Sequence, residues 1–403
     1  MRRHARLYFG ALIFLAGIAT DGLVAGPAVA RSCASTRSPE ALTALFAHHD
    51  VAGLAGADYQ RAFVLPDGRI LWVFQDAFVH RRGRSDVLVH NVGLVQNANC
   101  FTLLRTGSAR RPTPWLGADR TDTFHHWFWP LGGAIADDGT FGLFVAEMRE
   151  RGPRYLSHAE PVATWLARID PVTLALISFE PARDASAALY GWSVASDDRH
   201  TYLYGHCYRQ FGFSPIGHDA CAADVTVART ALGALDAPLQ YWNGTNWVDD
   251  PAAAVNIAPA AAPSGQPRSI NPMQIAHVDG RWLAVTKDGD WWGTTIYVDE
   301  ASEPTGPWTT TAVVDAIPLG RQDRYDTYFA SLIPTTDGKL VIGLSNNRWD
   351  GRTSGAYRPT FTALPDVGWA LQRACQTRLG TPGAFSGQPS PRTRRAVRGT
   401  RGG

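Results

Sequence analysis

Lysine is nearly absent from this chain. Of its 403 residues, 38 are lysine or arginine, and only Lys287 and Lys339 are lysine. The 36 acidic residues leave a formal net charge of +2, and five of the arginines lie in the last fourteen residues, so the rest of the chain is mildly acidic. This distribution argues against a nucleic-acid-binding protein, which needs clustered positive charge. The arginine-rich segment 376–403 is predicted to be a disordered basic tail.

An apolar run of membrane-spanning length is also missing. The run at residues 7–19 has thirteen residues, whereas a spanning helix needs about 20. Basic residues precede this run and Ala28-Val29-Ala30 follows it, which is the pattern of a secretory signal peptide. We therefore predict a signal peptide over 1–30 and a secreted, extracellular protein. An uncleaved membrane anchor is the alternative.

Cysteines are few, and none has the spacing of a zinc site. An exported chain with five cysteines can form disulfides. Cys207 and Cys221 bracket a loop that contains Gly and Pro, and we predict that they pair. Cys33 and Cys375 lie near the two ends of the mature chain, so a bond between them would staple a closed ring, and Cys33 with Cys100 is the alternative. One thiol is left over in either case.

Helical periodicity is scarce, and short runs rich in Val, Ile, Trp and Tyr alternate with Gly, Pro, Asp and Asn. Five hairpins recur, each consisting of an apolar strand, a turn that contains Asp, and a second apolar strand. Their turn residues, 58 to 81 positions apart, are Asp67, Asp138, Asp198, Asp279 and Asp337. Repeats of this size are typical of propeller blades. The predicted fold class is therefore all-β, a five-bladed β-propeller, and a β-sandwich or a two-domain β-protein is the alternative.

The repeat spacing also indicates the domain organisation. The propeller is predicted to occupy residues 31–375, with 31–55 packed against the ring and helping to close it. The predicted blades cover residues 56–106, 125–180, 188–250, 268–316 and 324–363. In the first hairpin both strand faces are apolar, as expected of strands that lie between two neighbouring blades.

Two acids, Asp58 and Asp76, lie at the outer ends of the first hairpin. The turn at residues 65–68 reads Leu-Pro-Asp-Gly, which suits a type I turn followed by a left-handed glycine in a three-residue loop. The numbers of paired residues then sum to 134, so Asp58 lies opposite Asp76 on the same face, with Cβ atoms about 4.5–5.5 Å apart. A two-residue loop would place them on opposite faces.

Two facing carboxylates bring no structural benefit, because opposed like charges destabilise a strand pair. In a pocket, one of the two would be driven to hold its proton. Glycosidases use such a coupled pair, with one carboxyl as acid and the other as base or stabiliser. The structural alternative is that one of the acids caps a turn or pairs with Arg61 or Arg81.

The same register places more polar and aromatic side chains at this end of the ring. Nine residues after the turn aspartates, three blades carry carboxylates: Asp76, Glu147 and Asp288. Aromatic rings there suit stacking on sugars, and amide or imidazole groups suit hydrogen bonds to hydroxyls. The candidate substrate-binding residues are His126, Trp129, Tyr190, Trp192, His206, Asn271, Trp291, Tyr328 and Asn346. Core packing is the alternative for the aromatic residues, and a packed loop histidine is the alternative for His126.

The pattern formed by Asp58, Asp67-Gly68-Arg69 and Phe74-Gln75-Asp76 resembles the first blade of five-bladed propeller glycosidases, the arabinanase and β-xylosidase group. It resembles more closely a set of secreted actinobacterial propellers labelled as a domain of unknown function, some of which cut the D-arabinan of mycobacterial cell walls. Gln75 stands where that set has Gly. The resemblance covers most of the chain by repeat layout and the first blade by motif.

The resemblance implies that Asp58 is the base or nucleophile and that Asp76 is its partner. The general-acid glutamate of the arabinanase group has no match at the start of the third blade. Glu147 and Asp288 are therefore the candidates for that role.

Together these features predict a secreted glycoside hydrolase that cleaves a cell-wall or plant polysaccharide, of the arabinan type, with a carboxylate pair. The alternatives are a non-catalytic, lectin-like carbohydrate-binding propeller and a protein that keeps the fold without the activity. We expect a monomer whose partner is polysaccharide, with no membrane span and no cofactor. An axial calcium or sodium ion is the alternative to the last expectation.

Overall fold

The structure is a computed structural model that describes residues 31–33, 36–47, 51–121, 125–150, 159–183, 189–206, 225–266, 268, 273–288, 294–316, 325–348 and 357–365. The predicted signal peptide and basic tail lie outside these ranges. Strands within them form five antiparallel sheets in chain order, together with a separate two-stranded ribbon. None of the helices in the described part of the chain has the length and hydrophobicity needed to cross a membrane.

The first blade has a split inner strand, and a strand from the start of the described chain forms its outer edge. Its strands are β1 (Arg31–Cys33), β2 (Leu54–Ala57), β3 (Arg61–Val64), β4 (Ile70–Arg81), β5 (Arg84–Asn97) and β6 (Cys100–Leu104). A nine-residue helix, α1 (Pro39–Ala47), lies between β1 and β2. The ribbon that follows this blade is formed by β7 (Thr106–Gly107) and β8 (Pro112–Thr113).

The next two blades contain four and five strands. The second blade is formed by β9 (His126–Ile135), β10 (Phe141–Glu150), β11 (Ala159–Ile169) and β12 (Leu176–Pro181). The third is formed by β13 (Ser193–Ser196), β14 (His200–His206), β15 (Val225–Ala231), β16 (Gln240–Trp242) and β17 (Trp247–Val248). Single 3₁₀ turns lie at Ala118–Arg120 and Pro251–Ala253.

The last two blades have four and three described strands. The fourth blade is formed by β18 (Gln274–Val278), β19 (Arg281–Lys287), β20 (Thr295–Ala301) and β21 (Thr309–Asp315). The fifth is formed by β22 (Tyr325–Pro334), β23 (Leu340–Arg348) and β24 (Thr360–Ala363). Inner strands contact each other around the ring, from β3 to β9, β13, β18 and β22, and β22 returns to β3. The fold is a five-bladed β-propeller, which confirms the prediction from the hairpins.

Alternate residues of β4 enter different interfaces between blades. Trp72 packs on Phe361 of the fifth blade, with ring centroids 6.0 Å apart. Its neighbour Leu71 belongs to a different core cluster, which includes Phe128 of the second blade. This is why the first hairpin is apolar on both faces, since each strand is covered from two sides by neighbouring sheets.

Helix α1 begins with local capping signals and covers the edge of the fifth blade. Ser38 Oγ accepts a hydrogen bond from the Ala41 N–H at 3.2 Å, as expected of an N-cap serine. Further along the helix, Thr43 Oγ1 accepts from the Phe361 N–H at 2.9 Å and donates to the Phe361 carbonyl at 3.3 Å. Phe46 packs on Phe361, with ring centroids 5.5 Å apart. Strand β24 therefore has helix-supplied partners on its outer side, which protects the sheet edge.

A disulfide joins Cys33 to Cys100. Strand β1 pairs with β6 in the register that places these two residues opposite each other. Of the two pairings considered for Cys33, the alternative with Cys100 is confirmed and the one with Cys375 was wrong, because β1 adds to the outer edge of the first blade and places Cys33 opposite Cys100. The predicted pair Cys207 and Cys221 lies outside the described residues.

Removing this disulfide should destabilise the propeller. Because the bond spans 67 residues of sequence, the chain-entropy model predicts that Cys33→Ser lowers the free energy of unfolding by up to about 4 kcal/mol. Urea unfolding of the oxidised proteins measures this change. The double variant Cys33→Ser/Cys100→Ser is the matched control and should be no less stable than either single variant. Non-reducing peptide mapping should recover a 33–100 linked peptide, and a 33–375 peptide would contradict the assignment.

Candidate active site

The first hairpin has the predicted register. The Leu65 N–H donates to the Arg69 carbonyl at 2.8 Å, and Gly68 has a left-handed φ of 82°. Arg61 pairs with Val73, and Ala57 pairs with Ala77 beyond the break in the inner strand. Paired numbers therefore sum to 134 on both sides of the break, which confirms the three-residue loop.

Asp58 lies in the break between β2 and β3, beside Asp76 of β4. Its N–H donates to the Asp76 carbonyl at 3.0 Å, and the Asp76 N–H donates to Asp58 Oδ1 at 3.1 Å. Tyr59, the next residue, has a left-handed φ of 47°, a conformation that is uncommon for a residue other than glycine. The carboxyl of Asp58 thus replaces a main-chain acceptor in the ladder and is fixed against the backbone of Asp76.

The two carboxyls have different side-chain partners. The Tyr328 hydroxyl of the fifth blade donates to Asp58 Oδ2 at 2.6 Å. The Trp129 Nε1–H of the second blade donates to Asp76 Oδ1 at 2.8 Å, and His90 Nδ1 lies 2.5 Å from the same oxygen. Asp58 and Asp76 are each 4% exposed. The pair is adjacent, as predicted, but its side chains are held from opposite neighbouring blades.

Burial raises the pKa of Asp58 well above its ordinary value, and the nearby negative charge of Asp76 raises this pKa further. The hydrogen bonds from Tyr328 and from the Asp76 N–H oppose this increase in the pKa of Asp58 without cancelling it. The proton of the pair therefore resides on Asp58 at a pH where an ordinary aspartic acid is ionised.

No arginine among the described residues pairs with either acid. Arg61 Nη1 donates to the main-chain carbonyls of Pro130 at 3.2 Å and Tyr59 at 3.4 Å. Arg81 Nε donates to the Ser85 carbonyl at 2.6 Å. The structural alternative, in which Arg61 or Arg81 neutralises one carboxyl, does not describe this site.

Arg61 is itself an unusual group in the central channel. It is 2% exposed, and its guanidinium lies 5.0 Å from the ring of Trp192 and 4.7 Å from the ring of Phe329. Burial lowers the pKa of Arg61 to about 9. Aromatic faces, and not carboxylates, therefore provide the described compensation for its charge.

Glu147 lies in a separate polar cluster of the second blade. Its Oε1 accepts from His126 Nε2 at 2.8 Å and Arg149 Nη2 at 3.1 Å, and its Oε2 accepts from Trp165 Nε1 at 2.7 Å. Burial raises the pKa of Glu147, but the hydrogen bonds from Trp165, Arg149 and His126 outweigh it and leave the pKa below its ordinary value. Glu147 is thus held as a carboxylate, which suits electrostatic stabilisation better than proton donation.

Several other candidates lie in packed surroundings. Tyr190 packs against Tyr241 in the core between the second and third blades, with ring centroids 5.2 Å apart. Trp192 is 2% exposed and lies edge-on to His206, with centroids 5.6 Å apart. In the fourth blade, the Tyr297 hydroxyl donates to Asp288 Oδ2 at 3.3 Å.

Asn346 is buried in the fifth blade, where its Nδ2 donates to the Leu344 carbonyl at 3.3 Å and to Thr360 Oγ1 at 3.2 Å. Of the predicted site residues, the structure brings Trp129 and Tyr328 into direct contact with the acid pair. Asn271 and Trp291 lie outside the described residues. Within the described ranges, no group of three or more His, Cys, Asp and Glu side chains is arranged to hold a metal ion.

His90 is a site residue that sequence reasoning missed. It lies opposite Asp76 in the pairing of β4 with β5. The hairpin between these strands begins with Arg81 opposite Arg84, and a bulge then shifts the register by one residue before Val79. Extending the turn register without the bulge would have paired His90 with Gln75, on the opposite face.

The sheet arrangement defines a five-bladed β-propeller, and the first blade of this propeller carries the pair of adjacent carboxyls. Residues 40–369 match the sequence profile of a domain of unknown function, DUF5005, and the chain belongs to this family. No curated protein matches the chain.

Solved structures give a wider comparison. A protein from Bacteroides ovatus ATCC 8483, described only provisionally as a hydrolase, is 18% identical with a TM-score of 0.60, and the match covers 80% of this chain and 88% of that one. A GH43_1 enzyme from Xanthomonas citri is 17% identical with a TM-score of 0.48, covering 79% and 91%. An exo-β-1,3-galactanase from Phanerochaete chrysosporium is 10% identical with a TM-score of 0.43, covering 82% and 63%. At these identities the likeness concerns the fold.

The opposite pKa shifts of two buried carboxyls give a test of the site. The folded-state pKa of Asp58 is raised, so its carboxyl costs stability above the ordinary aspartate pKa of about 3.9. The free energy of unfolding of Asp58→Asn, relative to that of wild type, should therefore increase as the pH rises from 4. Urea unfolding at a series of pH values measures the difference.

Glu147→Gln is the control of opposite sign. Because the folded-state pKa of Glu147 is lowered, its carboxylate contributes stability above the unfolded-state pKa, and this contribution is lost as the pH falls through the folded-state pKa. Glu147→Gln should therefore be destabilising at neutral pH and nearly neutral in acid. The same pH dependence for both variants would contradict the assignments.

Proposed function

We propose that this protein hydrolyses glycosidic bonds in a polysaccharide and that Asp58 and Asp76 carry the reaction. The observation that supports the proposal is a pair of adjacent, buried carboxyls with no arginine partner among the described residues. Such a pair costs stability, because burial and mutual repulsion both penalise its charges. Two buried acids that share one proton are typical of a site that carries out acid–base chemistry.

Cleavage of a glycosidic bond requires a proton for the leaving oxygen and negative charge beside the developing oxocarbenium ion. The raised pKa of Asp58 suits it to hold that proton. Asp76, whose Oδ1 accepts a hydrogen bond from Trp129 Nε1–H, suits the role of the carboxylate. These roles reverse the ones that the resemblance implied for Asp58 and Asp76.

The proposed substrate is an arabinan-type polysaccharide of a cell wall or of plant material. The resemblance of the first blade supports this choice. The solved structures with similar folds include enzymes described as a β-xylosidase/α-arabinofuranosidase and an exo-β-1,3-galactanase. Arabinogalactan, plant arabinans and xylans are therefore the substrates to compare.

Incubation of the mature protein with this panel, followed by chromatography of the products, tests the proposal. Wild type should release oligosaccharides or sugars from at least one polymer. Asp58→Asn and Asp76→Asn should each reduce the rate at least about 100-fold, the scale of a lost general acid or base. Asp67→Asn, in the turn at the opposite end of the same hairpin, is the matched control and should remain active.

The outcome of this experiment also separates hydrolysis from lectin-like binding. If the protein is a hydrolase, the Asp58→Asn variant should still bind the polysaccharide in affinity gel electrophoresis but should release no product. If wild type and Asp58→Asn both bind and neither creates new reducing ends, the protein is a carbohydrate-binding propeller. Neither binding nor cleavage on the whole panel would contradict the proposed substrate class.

We also propose that the protein is exported. The pattern over residues 1–30 supports this proposal, and so does the disulfide between Cys33 and Cys100, since such bonds persist in oxidising compartments. Expression of the full chain in a secreting bacterial host should yield extracellular protein that begins near Arg31. Sequencing of its N-terminus measures this, and a protein that stays membrane-bound with residues 1–30 attached would contradict it.

A further inference from the structure

The two carboxyl oxygens of Asp76 have different surroundings, and Oδ1 is contacted from two sides. Trp129 Nε1–H donates to Oδ1 at 2.8 Å, and His90 Nδ1 lies 2.5 Å from that same oxygen. Among the described residues, nothing donates to Asp76 Oδ2. Indole N–H groups only donate, so Oδ1 serves as the acceptor at the centre of this arrangement.

His90 is placed with little freedom to turn away from Asp76. It is 1% exposed, directly opposite Asp76 in the strand pairing, and its ring stacks on Trp127 with centroids 5.0 Å apart and an interplanar angle of 18°. An aromatic surface on one side and a paired strand on the other determine the direction of Nδ1. The ring is therefore preorganised toward the carboxyl.

The neighbouring residue ties this part of β5 to the second blade. Asn91 Nδ2 donates to the carbonyls of Leu116 and Phe128, at 3.1 Å each. Phe128 lies between Trp127 and Trp129, the two residues that contact His90 and Asp76. These hydrogen bonds fix the position of the strand that carries His90 relative to the strand that carries Trp129.

We infer that His90 is a positioning residue for Asp76: its Nδ1–H fixes Oδ1 and leaves Oδ2 as the oxygen that faces the substrate. The inference rests on the proposed hydrolysis for its functional meaning. An N–H donor to a carboxylate favours the ionised form of that carboxylate, so loss of such a donor shifts the acidic limb of a pH–rate profile to higher pH. Asp76 is a titratable group in direct contact with His90.

Two substitutions distinguish the effect of the His90 N–H group from the effect of its ring packing. His90→Phe keeps a ring on Trp127 but removes the N–H, and His90→Asn keeps an amide N–H near the position of Nδ1 but removes the ring. On the polysaccharide that wild type cleaves, His90→Phe should lower kcat about 10- to 100-fold, the rate equivalent of one hydrogen bond to a charged group, with KM unchanged. The acidic limb of its pH–rate profile should move to higher pH, and His90→Asn should restore most of the rate.

A purely structural role for His90 predicts a different result. In that case His90→Asn, which loses the packing, would be impaired more than His90→Phe, and both pH–rate profiles would match wild type. Either this pattern or wild-type activity in His90→Phe would overturn the inference. Near-ultraviolet circular dichroism establishes that each compared variant is folded.

A second measurement does not depend on turnover. The proton on His90 Nδ1 should give a downfield imidazole resonance in the proton NMR spectrum of the mature wild-type protein. This resonance should be lost in His90→Phe and lost or shifted strongly upfield in Asp76→Asn. If no polymer in the panel is cleaved, the proposed hydrolysis is contradicted. The spectrum still tests, independently of activity, whether His90 Nδ1–H donates to Asp76. A spectrum of wild type without the resonance overturns the positioning role.

Discussion

The site depends on one set of hydrogen bonds, the pair that joins Asp58 to the main chain of Asp76 across the break in the inner strand. One bond uses the Asp58 main chain and the other uses its carboxyl, so the side chain takes part in the ladder. The register is the same on both sides of the break. The two acids are therefore held together by the sheet itself, and the other contacts of the site act on the individual carboxyl oxygens.

Two kinds of acid occur in this propeller, and their surroundings distinguish them. Glu147 receives donors from His126, Arg149 and Trp165, so its charge is compensated. Asp58 is buried beside another acid and receives neutral donors, so its proton is retained. Arg61 lies in the same channel, yet its charge faces the rings of Trp192 and Phe329. A stabilising role accounts for Glu147, whereas stability alone does not account for the Asp58–Asp76 pair.

Membership of the DUF5005 family and the likeness to a solved structure from Bacteroides ovatus concern the scaffold, because one fold serves many functions. Function is carried by the site. Its tryptophans are buried and act as donors and packing surfaces: Trp129 donates to Asp76, and Trp127 stacks on His90. Trp129 therefore contacts Asp76 directly, whereas Trp127 acts on Asp76 through His90.

Hairpin spacing, turn chemistry and apolar patterning determined the five-bladed fold and the pairing of Asp58 with Asp76, because both follow from local rules that act within one hairpin. The same local rules could not locate His90, since a bulge after a two-residue turn changes which strand face it occupies. Nor could they decide between Cys100 and Cys375 as the partner of Cys33, or separate the surroundings of Asp58 and Glu147. Strand addition at a sheet edge, burial and contacts between blades join residues that are distant in the chain, and only the tertiary structure brings them together.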